Sequence, residues 1–336
     1  MLTINNVKIK GISATVPHKE VNNIDFAQYY GEKETLKLID SIGVKHRYIS
    51  TDNITSSDLC LESANRVIDA LSWDKNDIGA IIFVSQTPDY QLPATACILQ
   101  NKLNLPDTTL AFDINMGCSG YIYGLQIASS LVSNGITKVL LLVGDTISKL
   151  IKKGDRSTEF LFGDAGSATA LEYEEGSNIT FELGSDGAGW ENIVARQPIP
   201  STNSRAAHYS YLEMNGAEVF SFTLTRVPKL VNNFLNNLSL KAEEIDLAIY
   251  HQANLFMLKH LFKKSKLSEE QTVTSINHYG NTSCTSIPLT LCHAPKREKY
   301  NNTLLVGFGV GLSWGAAICD LSDTLLLPIG VMNNDN

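Results

Sequence analysis

The chain has 336 residues, 43% apolar and 18% charged, and its 27 Lys and Arg against 35 Asp and Glu give a net charge of −8. This composition excludes disorder, which needs few apolar residues and high charge, and disfavours nucleic-acid binding, which runs on clustered positive charge. The length predicts two domains or one duplicated one. No apolar run is long enough to span a membrane, and MLTINNVKIK shows no apolar stretch behind a basic start. The six cysteines form no CxxC pair, so reduced thiols in a cytoplasmic protein are expected.

In chain order, the first fully apolar run is 80–84, which reads as a parallel strand buried on both faces. A strand then ends near Ile114, small residues make a turn, and a helix is predicted over 119–134, stopped by Asn134 and Gly135. Cys118 stands in that turn. At a helix N-terminus it meets unpaired backbone N–H groups and the positive end of the macrodipole, which favour the nucleophilic thiolate. Taken by itself it reads equally well as a packed core cysteine. A second strand is predicted over 139–143, and a boundary between halves near 172–180. A helix over 218–237 contains Pro228, which should kink or divide it.

The later strands are 247–250, 272–276 and 303–306. The first is followed by His251, Gln252, Ala253 and Asn254, the second by Asn277 to Ser283, and the third by the glycine-rich 307–315. Ile81 to Val139 spans 58 residues and Leu247 to Leu304 spans 57, which suggests a duplicated α/β unit. Alone, His251 reads as a core histidine and Gly280-Asn281 as a turn. Dense glycine after a buried strand lets backbone N–H groups approach a ligand, as an oxyanion hole requires. His18, His46, His208, His260, His278 and His293 read as structural or surface residues. Cys60, Cys97, Cys284, Cys292 and Cys319 read as packing. No metal-ligand spacing is present, and the tail after Leu327 is expected to fray.

With these segments together, the sequence resembles the thiolase-like condensing enzymes, and among them β-ketoacyl-acyl-carrier-protein synthase III. The markers are the Cys118 turn, 163–166 (GDAG), 251–254 (HQAN), 280–283 (GNTS) and the 307–315 loop. The resemblance implies an α/β thiolase-like fold of two duplicated halves in five αβαβα layers. The halves are 1–174 with Cys118, and 175–336 with His251, Asn281 and the glycine loop. It also implies a homodimer. Cys118 would take an acyl group from a thioester, and the backbone N–H groups of Cys118 and Val310 would form the oxyanion hole. His251 and Asn281 would hold the carbonyl of a malonyl thioester as it loses CO2, with Phe308 pressing on the carboxylate. No metal or resident cofactor is implied; the substrates are phosphopantetheine thioesters on a carrier protein or coenzyme A.

This chain departs from the family where coenzyme A is clamped. Lys37 and Ser41 stand at the positions of the adenine-stacking tryptophan and arginine, and Phe256 replaces a groove arginine. Ala217 and Ser221 replace an amide and a lysine. Arg156, Asn254 and Lys264 remain as groove residues, which favours a carrier-protein donor. Leu92, ahead of Pro93, implies a wider acyl pocket than a phenylalanine would leave, and Met116 would take part of that space back. Lys259, Lys263, Lys264 and Lys266 form a basic patch suited to an acidic carrier protein. The alternative activity is transfer of the acyl group to an alcohol or amine of a specialised metabolite or sugar, with His251 as general base. A third reading, an inactive scaffold, fits poorly with the retained Cys118, His251 and Asn281.

Overall fold

A computed structural model describes residues 1–196, 211–296 and 298–332; His208 and the last residues of the tail lie outside them. The core elements in chain order are β1 (Leu2–Pro17), α1 (Ser56–Leu71), β2 (Ile78–Val84), α2 (Thr95–Lys102), β3 (Leu110–Ile114), α3 (Gly120–Ser133) and β4 (Lys138–Asp145). Then follow β5 (Ala165–Ser185), α4 (Gly216–Asn237), β6 (Leu247–Tyr250), α5 (Leu255–Lys264), α6 (Ser286–His293), β7 (Thr303–Gly309) and β8 (Ser313–Cys319). The apolar runs become β2, β4, β6 and β7 because a strand covered on both faces needs an apolar residue at every position. Ala80 to Val84 and Val139 to Val143 are inaccessible to solvent.

Two sheets of the same order result. In the first, β3, β2 and β4 are parallel, while β5 and then β1 add antiparallel. In the second, β6 and β7 are parallel, while β8 and then β5 add antiparallel. β5 is shared: residues 165–172 pair with β4 and residues 179–185 with β8. The expected boundary at 174/175 thus falls inside one strand, between its two sets of partners. Thr272 forms a single parallel bridge to Ala248, which occupies the place of β3 in the second sheet.

The helices complete five layers. Val67 of α1 and Leu99 of α2 cover the outer face of the first sheet with Ile81 and Leu140. Val227 and Val231 of α4, with Leu258 and Leu261 of α5, cover the outer face of the second with Ala248 and Leu304. Between the sheets lie α3 and α6, whose Leu125, Ala128, Ile287 and Leu291 pack with Ile82, Leu141, Ile249 and Leu305. The duplicated reading therefore holds at the level of layers.

Several local expectations change. The strand over 272–276 ends at the Thr272 bridge: the Ser275 N–H is taken by the Gln252 side chain at 2.9 Å, and Ile276–Tyr279 makes a helical turn. Pro228 does not divide α4, because Val227, Leu230, Val231 and Phe234 around it are all held against the second sheet. The tail does not fray directly after Leu327: Gly330–Met332 pairs in parallel with Thr15–Pro17. Cys97 is exposed on α2 rather than packed. Among the described residues no helix is long and apolar enough to cross a membrane.

Candidate active site

The middle layer positions Cys118. β3 ends at Ile114, and Gly117, Cys118 and Ser119 turn the chain into α3, with the Gly120 N–H donating to the Gly117 carbonyl at 2.6 Å. Gly117 has no room for a side chain, since the Gln86 carboxamide and a Val310 methyl fill the space a Cβ would take. β7 passes directly behind the turn. A Cβ on Gly307 would lie 2.9 Å from Ser119 Cα, and one on Gly309, at φ +150°, would lie 2.7 Å from Cys118 Cβ. The glycines thus serve close packing of two backbones as well as exposing N–H groups. The Ser119 and Ser313 hydroxyls meet at 2.6 Å, and Ser313 also donates to the Val310 carbonyl, which ties the two turns together.

His251 follows β6, with its N–H donating to the Val306 carbonyl at 2.7 Å. Its Nδ1 lies 2.7 Å from the Ser286 hydroxyl. That hydroxyl also accepts from the Gln252 N–H at 3.4 Å, and in the tautomer in which it donates to Nδ1 the imidazole hydrogen stands on Nε2. The ring meets Phe308 edge to face at 5.4 Å. Asn281 is pinned through its backbone: its N–H donates to the Leu161 carbonyl at 2.8 Å and its carbonyl accepts from Gly163 at 3.1 Å. Oδ1 accepts from the Ser283 N–H at 2.9 Å, so the amide hydrogens are what the side chain offers. The GDAG segment owes its form to this contact. A Cβ on Gly163 would collide with the Tyr279 carbonyl, and buried Asp164 accepts from the Ser50 and Ser148 N–H groups.

These residues share a cavity of about 370 Å³. Cys118, His251, Asn281, Phe308 and Val310 line it together with Asn254, which also caps α5 by accepting from Met257 N at 2.8 Å. Its remaining wall is largely apolar, with Ala217, Val219, Phe220, Phe256 and Met257, and Phe220 stacks on Phe256 at 5.7 Å. The other expected binding residues lie elsewhere. Leu92 is 79% exposed, in a loop away from the cavity lining. Met116 turns into the middle layer beside Gly120 and packs with the core there. Arg156 is exposed and stacks on the Tyr30 ring at 5.1 Å. Lys264 is exposed in the last turn of α5, where a cation complements the helix dipole. Lys37 and Ser41 are also exposed. Side-chain direction, which spacing does not give, separates these positions from the lining residues.

Burial sets the protonation states. It lowers the His251 pKa to about 3 against the opposing Ser283 carbonyl, so the imidazole is neutral at physiological pH. It pushes the Cys118 thiol up to about 11, and the Val310 N–H, the Ser283 hydroxyl and the Cys118 N–H work in the other direction. The expected lowering of the Cys118 pKa at a helix N-terminus is therefore reversed: loss of solvent outweighs the local dipoles. Both N–H groups expected to form the oxyanion hole lie against the sulfur.

Two lining residues were not singled out by sequence. Gln86 follows β2, and Thr223 on α4 carries a buried hydroxyl with no partner among the described residues. Gln86 had a legible signal, since it stands just past the carboxyl end of a parallel strand, where ligands gather in α/β sheets.

Comparison with known proteins identifies the family. The family model for 3-oxoacyl-[acyl-carrier-protein] synthase III matches residues 112–187, and that for the C-terminal part of the same enzymes matches 235–321. A β-ketoacyl-[acyl-carrier-protein] synthase III of Clostridium perfringens is 36% identical over 325 residues, covering 94% of this chain and 99% of that protein. A putative 3-oxoacyl-[acyl-carrier-protein] synthase 3 of Campylobacter jejuni is 34% identical, covering 94% of each. The crystal structure of a 3-oxoacyl-(acyl-carrier protein) synthase from Burkholderia xenovorans superposes with a TM-score of 0.93 at 39% identity, covering 98% of each chain. The chain belongs to the 3-oxoacyl-[acyl-carrier-protein] synthase III family, condensing acyltransferases of thiolase-like fold.

Proposed function

We propose that this enzyme takes an acyl group from a thioester onto Cys118 and condenses it with a malonyl thioester on an acyl carrier protein. The observation that carries this reading is the meeting of Cys118, His251, Asn281 and Phe308 on one cavity wall. In the first step the Cys118 sulfur forms a bond to the acyl carbon, the donor's C–S bond breaks, and the thiol proton leaves on the donor thiol. In the second, the malonyl C–CO2 bond breaks and the resulting enolate carbon attacks the acyl carbonyl. The acyl–Cys118 C–S bond then breaks, the 3-oxoacyl thioester and CO2 depart, and the Cys118 sulfur takes a proton from water. His251 through Nε2–H and Asn281 through its amide stabilise the enolate oxygen as neutral donors, worth about 10²–10³ in rate each. Phe308 disfavours the carboxylate over neutral CO2 by excluding water.

A neutral His251 with so low a pKa is a weak base, which favours decarboxylative condensation over transfer to an alcohol or amine. The apolar rim of Phe220 and Phe256, with exposed Lys259, Lys263, Lys264 and Lys266 on or just beyond α5, favours a carrier-protein donor over coenzyme A. Thr223 and Asn254 offer polar contacts to the phosphopantetheine arm. The reading includes a homodimer, supported by the outer edge of β3, which is unpaired among the described residues, and by its half-exposed Leu110. With all six cysteines unpaired, it also places the enzyme in the cytoplasm.

Intact-mass measurement after exposure to acyl thioesters, followed by malonyl-carrier protein, tests the activity. The wild type gains the acyl mass, then loses it with release of CO2 and 3-oxoacyl product. Cys118→Ala abolishes both steps. His251→Ala and Asn281→Ala acylate but condense about 10²–10³-fold more slowly. Acylation without condensation in the wild type overturns the reading.

A further inference from the structure

The catalytic cavity holds a polar group that the condensation does not use. Gln86 stands at the carboxyl end of β2, whose neighbour β3 leads to Cys118, and Val84 pairs with Ile114 across them. Its carboxamide lies over Gly117, the residue before the nucleophile, beside the Val310 methyl. The side chain lines the cavity, and among the described residues it makes no hydrogen bond to the protein. A carboxamide carries two donors and an acceptor, and here the half-buried Gln86 side chain faces a largely apolar chamber with those groups open to a ligand.

The backbone beneath it is held by a fully buried carboxylate. Asp145 Oδ1 accepts from the Gln86 N–H at 2.8 Å and from the Ser85 and Thr87 hydroxyls at 3.1 Å each. Oδ2 accepts from the Cys284 thiol at 3.1 Å. The Thr87 hydroxyl in turn accepts from Thr146 N at 2.9 Å, and the Thr87 carbonyl from the Ser56 hydroxyl at 2.7 Å. The turn that presents Gln86 is therefore preorganised, which is how a recognition group rather than a filler is built.

We propose that Gln86 selects acyl groups bearing an uncharged oxygen substituent, such as a hydroxyl, near the thioester. This rests on the reading that Cys118 carries the acyl group. An acyl chain bonded to Cys118 lies within reach of the residue that covers Gly117, whereas His251, Asn281 and Phe308 come from elements of the second half. A hydroxyl gives and accepts one hydrogen bond, which matches the carboxamide. A carboxylate is disfavoured, since it would lie close to Asp145 with no cation among the described residues that line the chamber. A plain alkyl chain leaves the carboxamide unpaired.

The test uses the full-length enzyme with 3-hydroxybutyryl- and butyryl-carrier protein, which have the same chain length, and follows Cys118 acylation by intact mass. The wild type is expected to acylate about 10- to 100-fold faster with the hydroxyacyl donor, the range set by one buried hydrogen-bonding group left without its partner. Gln86→Leu removes the carboxamide at nearly constant size and brings the ratio to one or below. Gln86→Met serves if the leucine variant does not fold, and because the ratio is taken within each variant, partial unfolding cancels. A wild-type ratio of one or less, or a ratio unchanged by the substitution, overturns the proposal. So does an effect confined to the KM for malonyl-carrier protein. If butyryl donors acylate and condense without any hydroxyl preference, only this proposal fails; if no donor acylates Cys118, the functional reading fails with it.

Discussion

His251 is the residue at which burial has the widest consequences. Its pKa is about 3 in the folded protein and about 6.5 in an unfolded chain, so below pH 6.5 the unfolded state binds the extra proton. Its contribution to stability is complete above pH 6.5 and is lost as the pH falls. Between pH 7 and 5 this amounts to about 2 kcal/mol of unfolding free energy. Urea titrations at the two pH values are expected to show that loss in the wild type and a smaller one in His251→Gln; equal losses would contradict a neutral buried histidine. The Cys118 thiol illustrates why charge states were poorly legible in the sequence. The turn and helix start could be read from small residues and periodicity, and they predict a lowered pKa. Desolvation comes from β7 and the 281–283 segment, distant in sequence, and it takes the value to about 11.

At the scale of elements, β7 and α3 carry the site because their backbones nearly touch. Gly309→Ala would put a methyl 3.0 Å from Cys118 Sγ, at a φ of +150° that side chains rarely adopt. The expected result is at least about a tenfold loss of Cys118 acylation with a stability cost of about 1–3 kcal/mol. Intact-mass time courses and urea unfolding read the two effects, and unimpaired acylation would show that the strand can retreat from the nucleophile. The glycine-rich stretch was visible in the sequence as a place of close approach, but what it approaches was not. Pro228 marks the opposite case: a strong local signal for breaking a helix is overridden because the residues around it are locked against the second sheet.

For the whole molecule, the exposed edge of β3 is the place where a second copy would extend the first sheet. Leu110, half exposed at the start of that strand, gains its value only if a partner covers it. Light scattering after size exclusion is expected to give twice the chain mass for the wild type and the single-chain mass for Leu110→Lys. A monomeric wild type would remove the dimer from the proposed function.

The sequence by itself determined the periodic and local features: that the runs 80–84, 139–143, 247–250 and 303–306 are buried strands, that they recur with nearly equal spacing, and that Cys118, His251 and the glycine loop each follow a strand. Those properties follow from hydrophobic patterning and turn chemistry, which act within a few residues. Only the tertiary structure decided which side chains face the cavity. It set Leu92, Met116, Arg156 and Lys264 outside it and Gln86, Thr223 and Ser283 within it. The reason is that direction and burial are imposed by packing partners up to hundreds of residues away, as where β1 joins β5 or Ser119 meets Ser313. Desolvation, and with it the protonation states of Cys118 and His251, belongs to that packed arrangement alone.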